Sequence, residues 1–420
     1  MSASSHIAVV GAGHAGGRLV QHLRALGHTG RLTLIGEEAH APYERPALSK
    51  DLLLGASTKE NLELTPAGFW SSDSLAAAGI ERIRATADAL NVDTRSLRLN
   101  DGRSVDFDLL VVATGGAAKR PSFMTKQIEG VHVLRTLDDC LALRASLAGC
   151  RKLAIIGAGV IGMEVASTAV SLGVLVTVLE TGTGIMSRCL PPIVATWLAQ
   201  QHVARGVDVK TGVSVADITH ADQTKADALA LRISAMRDGE PLYIDADCVL
   251  VAIGVDCNPV FLRGLGVSDE RGVAVDAFCR SPAMPWLYAA GDVACTLDSQ
   301  SSRYVRQETW RNAENQARAV AEIILGRAEP YRETQWMWTD QLGHAIQVTG
   351  IPEAGDAVIV RGALESGSAT VIALRDGCVS SGVTINQSRD RRHLESLVRS
   401  RKRVDSERLG DESISLKEFV

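Results

Sequence analysis

The sequence predicts an α/β chain made of two doubly wound halves and a compositionally distinct third part, on three observations. Residues 7 to 17, Ile-Ala-Val-Val-Gly-Ala-Gly-His-Ala-Gly-Gly, are an apolar run that stops on Gly11, Gly13 and Gly16 and reads as helical from Arg18 to Ala25. The same layout returns 146 residues later as Leu153-Ala-Ile-Ile-Gly-Ala-Gly-Val-Ile-Gly162, with Gly157, Gly159 and Gly162 in register. Each half then carries, near its end, an apolar strand that stops on a glycine: Asp108 to Gly115 and Asp247 to Gly254. A parallel strand feeding a helix through G-x-G-x-x-G turns tightly, approaches a pyrophosphate closely and aims a helix N-terminus at negative charge. Two such turns predict two dinucleotide sites, with no side chain fitting where Gly13 sits.

Composition narrows the classes. A chain of 420 residues with 46% hydrophobic residues exceeds one ordinary domain and supplies two or three cores. Few aromatics (4%) and 38 glycines suit an alanine- and valine-rich doubly wound protein better than a β-sandwich. A net charge of -5 offers no global field for nucleic acid or an anionic membrane, so a charged partner must meet a local patch. With a buried-type strand within six residues of the start and no 18-residue apolar stretch, a cytoplasmic chain without signal peptide is expected. Eight cysteines, at 140, 150, 189, 248, 257, 279, 295 and 378, never fall in C-x-x-C, so buried thiols are expected and no metal site.

In chain order, the strand Leu32 to Ile35 ends at Gly36-Glu37, 21 residues after Gly16, where an acid accepts the hydroxyls of an adenosine ribose. Ala41-Pro-Tyr-Glu-Arg-Pro-Ala-Leu-Ser-Lys50 is a proline-punctuated loop that presents Arg45 and Lys50 and leads into a helix, Lys50 to Leu54. Asn100-Asp-Gly102 closes a hairpin, and the buried strand after it ends at Ala113-Thr114-Gly115, a chain reversal facing the cofactor edge of the sheet. Residues 116 to 150 read as a linker and a helix, Leu137 to Leu147. In the second half the strand Val174 to Leu179 ends on Glu180, 18 residues past Gly162. An acid there accepts ribose hydroxyls and repels a 2'-phosphate, which predicts NAD over NADP, with Arg188 in reach of the phosphates.

Val207 to Val209, Ala228 to Ala235 and the turn Asp238-Gly239 continue as strands toward the segment ending at Gly254. A small-residue strand then delivers Gly291-Asp292 toward the first glycine turn, with an N-cap as the plainer reading of Asp292. Gln307 to Leu325 is an amphipathic helix with Trp310 near its start, a position that is usually core. Beyond Tyr331 come short strands, a basic helix from Arg389 to Arg403 and a ragged end.

The two fingerprints, Pro42-Tyr-Glu-Arg-Pro-Ala-Leu-Ser-Lys50, Ala113-Thr-Gly115, Ala252-Ile-Gly-Val255, Ala290-Gly-Asp292, Glu308-Thr-Trp-Arg-Asn312 and Trp338-Thr-Asp-Gln341 together resemble the oxygenase-coupled NADH:ferredoxin reductases, over nearly the whole chain. The resemblance implies a glutathione-reductase-like fold of two nested Rossmann-type nucleotide-binding domains plus an α+β C-terminal domain. Its implied boundaries are 1-118 with 252-329 for FAD, 119-251 for NAD, and 330-420 for partner docking. It implies Gly11, Gly13 and Gly16 on the FAD pyrophosphate, Glu37 on its ribose, Arg45 and Lys50 along the cofactor, and Asp292 on the ribityl chain. Gly157, Gly159 and Gly162 would hold the NADH pyrophosphate, Glu180 its ribose, and Glu164 the nicotinamide, paired with Lys50; Trp310 would lie by the flavin on the electron exit side. The implied partner is a two-iron ferredoxin or a ferredoxin-like electron carrier, and the chain itself is expected as a monomer or a homodimer. Three departures stand out: Ala47 for a second proline, Cys257-Asn-Pro259 for the usual Pro-Asn order, and Gln335-Trp-Met-Trp for Pro-Trp-Phe-Trp.

Competing classes need residues that are absent. A dithiol–disulfide reductase needs a cysteine pair beside the flavin, and an NADH oxidase or peroxidase a single reactive cysteine there, yet none precedes Cys140. A rubredoxin or monooxygenase-linked reductase, or a non-catalytic flavin sensor, is separated by the partner it reduces. Two basic clusters offer docking: Arg303, Arg306 and Arg311 around Trp310, which is the expected one, and Arg389, Arg391, Arg392, Arg399, Arg401, Lys402 and Arg403, which also reads as a solvated face.

Overall fold

Ile7, Val9, Leu109 and Val111 point into one apolar cluster and Ala8, Val10, Leu110 and Val112 into another, the period-two pattern of parallel strands covered on both faces. The computed structural model describes residues 4–221, 230–257, 259–298, 303–327 and 329–420, so Ala228 and Leu229 of the expected Ala228 to Ala235 strand lie outside it, as does Asn258. Two compact units result, one of Met1–Arg45, Lys59–Ala117 and Val255–Glu333, the other of Pro46–Thr58, Ala118–Gly254 and Thr334–Val420.

The first unit holds a parallel sheet in the order Leu287–Ala289, Leu109–Val112, Ile7–Val10, Leu32–Gly36, Ile80–Arg84. The chain runs from Ile7–Val10 to one edge and then returns to its other side at Leu109–Val112, so the switch point falls between those two strands. Helix His14–Ala25 packs on helix Trp310–Ile324 through Leu19, Leu23, Ala317 and Val320, all fully buried, each leucine contributing about 1.5–3 kcal/mol. The first helix starts four residues before the expected Arg18, because Gly13 already caps it and its carbonyl accepts from Gly17 N at 2.9 Å. The predicted hairpin is present, Ser96–Leu99 against Ser104–Asp106, with Gly102 at φ 86°.

The second unit repeats the parallel layout: Asp208–Lys210, Leu175–Leu179, Lys152–Ile156, Cys248–Val251, Val131–Val133, again with the switch point beside the glycine-turn strand. Helix Leu137–Leu147 has the expected bounds and a Thr136/Asp139 capping box. Val213–His220, Leu231–Arg237 and Glu240–Ala246 form an antiparallel sheet, turned at Asp238-Gly239 with both φ positive.

The last segment of this unit is a five-stranded antiparallel sheet, Trp336–Gln341, His344–Gly350, Cys378–Ile385, Ser368–Arg375, Ala357–Ala363. Two expectations change here. The basic helix spans Arg391–Ser400 only, ended by Arg401 in the left-handed region at φ 49°. The end is not ragged: buried Arg361 donates to the carbonyls of Leu409 (2.5 Å), Asp411 (2.9 Å) and Ile414 (2.7 Å), and Leu416 is buried. Among the described residues no helix is long and apolar enough to cross a membrane, and no group of side chains suits a metal ion.

Candidate functional site

The two glycine turns divide their labour identically. A Cβ on Gly11 would sit 2.2 Å from the Ala113 carbonyl oxygen, and on Gly157 2.5 Å from that of Ala252; both have positive φ. A Cβ on Gly16 or Gly162 would meet the carbonyl oxygen of its own first glycine at 1.8 or 2.1 Å. These four glycines are demanded by packing of turn, helix and neighbouring strand. The middle ones are not. A Cβ at Gly159 meets nothing within 4 Å and at Gly13 only Arg45 Nη2 at 3.6 Å, so the protein itself leaves room where the sequence suggested none. That corrects the expectation for Gly13: the polypeptide itself leaves room at both middle glycines, each of which stands at a helix N-terminus.

In the first unit the predicted residues converge on this turn. Arg45 is held by Glu38 Oε1 at 2.6 Å and the Tyr43 hydroxyl at 3.0 Å, which aims its guanidinium over Gly13. Gly291, before Asp292, packs on Ala15 and donates its N–H to Gln316 Oε1 at 2.9 Å; Asp292 lies near enough to favour the charged Arg45 and is not an N-cap, the short helix Gly291–Val293 being capped by Ala290. Ala113 is buried against Gly11, Thr114 is exposed, and Gly115 has φ 62°. Glu37 is exposed one position beyond Gly36, whose missing Cβ lets Ala12 approach. Strand pairing aligns Ile35 with Leu179, so Gly36, not Glu37, is the counterpart of Glu180.

Trp310 is the first residue of its helix, half-buried, with its ring edge-on to His14 at 5.3 Å. His14 is a feature the sequence pattern does not single out: Nε2 meets Glu314 Oε2 at 2.7 Å, and Arg18 Nε donates to the same oxygen at 2.8 Å. Burial alone would raise the Glu314 carboxyl, but His14 and Arg18 hold it below its ordinary value.

In the second unit Glu180 closes the glycine turn, accepting from Ala158 N at 2.8 Å and Gly182 N at 2.7 Å. Arg188 Nη2 lies 3.9 Å from the Cβ position of Gly254, which has φ 104°. Lys50 and Glu164 pair at 2.9 Å, with Glu164 4% exposed on helix Val160–Ser171. Lys50 follows the short helix Arg45–Ser49 and precedes Asp51–Leu54. Around the pair are residues not singled out by the sequence: Ser49 Oγ donates to Glu164 Oε2, Thr339 Oγ1 lies 2.6 Å from Oε1, and the Lys50 ammonium stands 5.7 Å over the Trp338 ring. Their signal was the strand Trp336–Gln341, where Thr339 and Gln341 are buried and Asp340 is exposed, polar side chains with period two pointing inward. Trp310 belongs to the first unit.

The cysteines form no disulfide. Burial pushes the thiols of Cys140, Cys150 and Cys189 up to about 11 and those of Cys248 and Cys279 up to about 12, which disfavours the thiolate that exchange requires. In the expected docking cluster Arg303 is exposed and the other two arginines have partners within the chain. Arg311 pairs with Glu333 at 2.6 Å and Arg306 with Glu308 at 2.6 Å, while Arg306 Nη1 also donates to the Arg271 carbonyl at 2.8 Å. These two charges are neutralised within the chain, whereas Arg389, Arg392, Arg399, Arg401, Lys402 and Arg403 are exposed.

Comparison with known proteins agrees with this geometry. Residues 5–317 match the family model described as pyridine nucleotide-disulphide oxidoreductase and residues 336–420 the one described as reductase C-terminal. The chain is 36% identical to the ferredoxin–NAD(+) reductase component of the p-cumate 2,3-dioxygenase system of Pseudomonas putida, over 99% of this chain and 98% of the relative. It superposes with a TM-score of 0.90 on the ferredoxin reductase for the CYP199A2 system from Rhodopseudomonas palustris, at 29% identity and 99% coverage of both chains. The covalent putidaredoxin reductase–putidaredoxin complex gives a TM-score of 0.90 at 31% identity, over 99% of this chain and 98% of that one. With two parallel-sheet units, each carrying a glycine turn, and matches over nearly its full length, the chain belongs to the pyridine nucleotide-disulphide oxidoreductase family, within it to the FAD-dependent ferredoxin–NAD(+) reductases of oxygenase systems.

Proposed function

We propose that this chain is an NADH:ferredoxin reductase that passes electrons from NADH through FAD to a two-iron ferredoxin, which feeds an aromatic-ring oxygenase of a catabolic pathway. The observation that carries the reading is the duplicated glycine turn, each copy with a middle glycine that the protein does not require and a partner strand across its switch point. Relatives of full length are reductase components of dioxygenase systems, and the putidaredoxin reductase complex contains a ferredoxin-type partner. When bound, FAD supplies the step that the polypeptide lacks, accepting a hydride and releasing electrons singly.

The chain's own residues bind and orient. The turn at Gly11, Gly13 and Gly16, with Arg45, Ala113–Gly115 and Gly291–Asp292, holds FAD, with Glu37 for its ribose; the turn at Gly157, Gly159 and Gly162, with Glu180, Arg188 and Gly254, holds NADH. Glu164 orients the nicotinamide. Lys50, ion-paired with Glu164 at 2.9 Å, is proposed along the flavin. Trp310 is proposed for the electron exit side. The domain limits 1-118 with 252-329, 119-251 and 330-420, and a cytoplasmic location, belong to the same reading. The test is NADH-dependent bleaching of a two-iron ferredoxin under anaerobic conditions. Flavin reduction by NADH without multiple turnovers of any such ferredoxin would replace the reductase by a sensor.

A further inference from the structure

Glu164 is a nearly buried carboxylate, which is costly unless its oxygens are met by donors. Oε1 is met by Lys50 Nζ at 2.9 Å and Thr339 Oγ1 at 2.6 Å, Oε2 by Ser49 Oγ. The network continues inward. Gln341 Nε2 donates to Thr339 Oγ1 at 2.9 Å, and Gln341 Oε1 faces His202 Nε2 at 2.9 Å. Each link fixes the direction of the next. The amide oxygen can only accept, so His202 carries its proton on Nε2; the Gln341 amide is thereby oriented with its N–H on Thr339; and Thr339, already accepting, has its single O–H to give to Glu164. His202 is fully buried, its Nδ1 meets no partner among the described residues, and burial lowers its pKa while the Gln341 bond opposes that shift only in part. The imidazole is therefore neutral, and the whole line donates one way, toward Glu164.

We infer that Thr339, Gln341 and His202 are positioning residues that lock the Glu164 carboxylate as an oriented acceptor for the nicotinamide end of NADH, independently of the Lys50 ammonium. A carboxylate offers about four acceptor sites and three are used, so one on Oε2 is left for a donor such as the nicotinamide carboxamide. The inference rests on the reading that Glu164 serves the nicotinamide. Since most binding energy of a dinucleotide comes from its adenosine and pyrophosphate, loss of the line should disturb alignment more than affinity.

The experiment measures, in FAD-loaded enzyme, the limiting rate of flavin reduction by NADH, the Kd of NAD+ and of ADP-ribose from flavin or protein difference spectra, and Tm. Thr339→Val should slow the limiting rate about tenfold, with the ADP-ribose Kd within about twofold and Tm lowered by a few degrees, while Thr339→Ser restores the rate to within about threefold and Tm to wild type. Gln341→Met should reproduce the Thr339→Val loss, and carries the test if that variant does not retain FAD. Glu164→Gln should slow reduction, and combined with Thr339→Val should add little more. If Glu164→Gln leaves the rate unchanged, the nicotinamide reading itself fails. If Glu164→Gln is slow but Thr339→Val and Gln341→Met are not, or if Thr339→Ser is as slow as Thr339→Val, the positioning line is overturned and Glu164 acts alone.

Discussion

Glu180 offers the sharpest test of nucleotide choice, because the structure changes what its removal should do. Electrostatics alone says that Glu180→Ala removes repulsion of a 2'-phosphate and raises activity with NADPH. The carboxylate also ties Ala158 N and Gly182 N at 2.8 and 2.7 Å, one on each oxygen, so the same change opens the turn that receives the pyrophosphate. A charge-assisted bond is worth about 1.5–3 kcal/mol, and at a half-exposed position water takes back part of two such bonds. A net loss of about one bond predicts a fall of ~10–100-fold in kcat/KM for NADH, to which the lost ribose contacts add. For NADPH the loosened turn offsets the relieved repulsion, leaving kcat/KM within about threefold of wild type. Preference therefore narrows from the NADH side. Steady-state ferricyanide reduction with each nucleotide reads both terms, and Glu180→Gln, which keeps one acceptor oxygen, should fall between. An unchanged kcat/KM for NADH in Glu180→Ala, or a wild type that prefers NADPH, would refute the reasoning.

Other outcomes follow from the same geometry. The purified protein should be yellow with one non-covalent FAD per chain, and two flavins by absorbance against protein would sink the assignment. Gly13→Ala should fold with a Tm close to wild type yet release FAD, whereas Gly16→Ala, whose Cβ would sit 1.8 Å from the Gly11 carbonyl, should be strongly destabilised; equal behaviour in thermal melts removes the distinction between cofactor and packing glycines. Docking should run through the exposed C-terminal arginines: Arg392→Glu with Arg399→Glu should slow ferredoxin reduction and flatten its salt dependence while ferricyanide turnover persists, whereas Arg306→Glu with Arg311→Glu, which breaks internal pairs, should lower Tm instead. His22, His28, His132 and His202 all have pKa values lowered by burial from 6.5, so unfolding takes up protons as the pH drops below that value. Their contribution is present above pH 6.5 and is lost as the pH falls toward their folded values; a Tm constant from pH 7 to 5 would contradict this.

The parallel strands were legible because burial on both faces writes unbroken apolar runs, and the glycine turns because their spacing is fixed by backbone contact. Other features were hidden for definite reasons. Gly36 and Glu37 look like a simple strand end, and only the pairing of Ile35 with Val10 and of Leu179 with Ile156, each just before its glycine turn, shows that the two acids are not equivalent. The Glu164 network joins residues 49, 164, 202, 339 and 341, and no local period marks such a set beyond the inward alternation of Thr339 and Gln341. Arg311 read as a free cation because its partner, Glu333, lies outside its helix and far along the chain.

The first unit is drawn from three separate stretches of chain, and this sets an order of assembly. Its opening strand, Ile7–Val10, finds one neighbour at Leu32–Gly36, but the far edge of the sheet arrives only with Leu287–Ala289 and the cover for the first helix only with Trp310–Ile324. All five parallel strands of the second unit, by contrast, lie between Val131 and Val251. On a chain made from its N-terminus, the later sheet can close while the earlier one still waits with an open edge and an uncovered apolar helix face. The first glycine turn to be synthesised thus waits longer for its sheet than the second does, and until residue 324 emerges its open edge and bare helix face are exposed to aggregation.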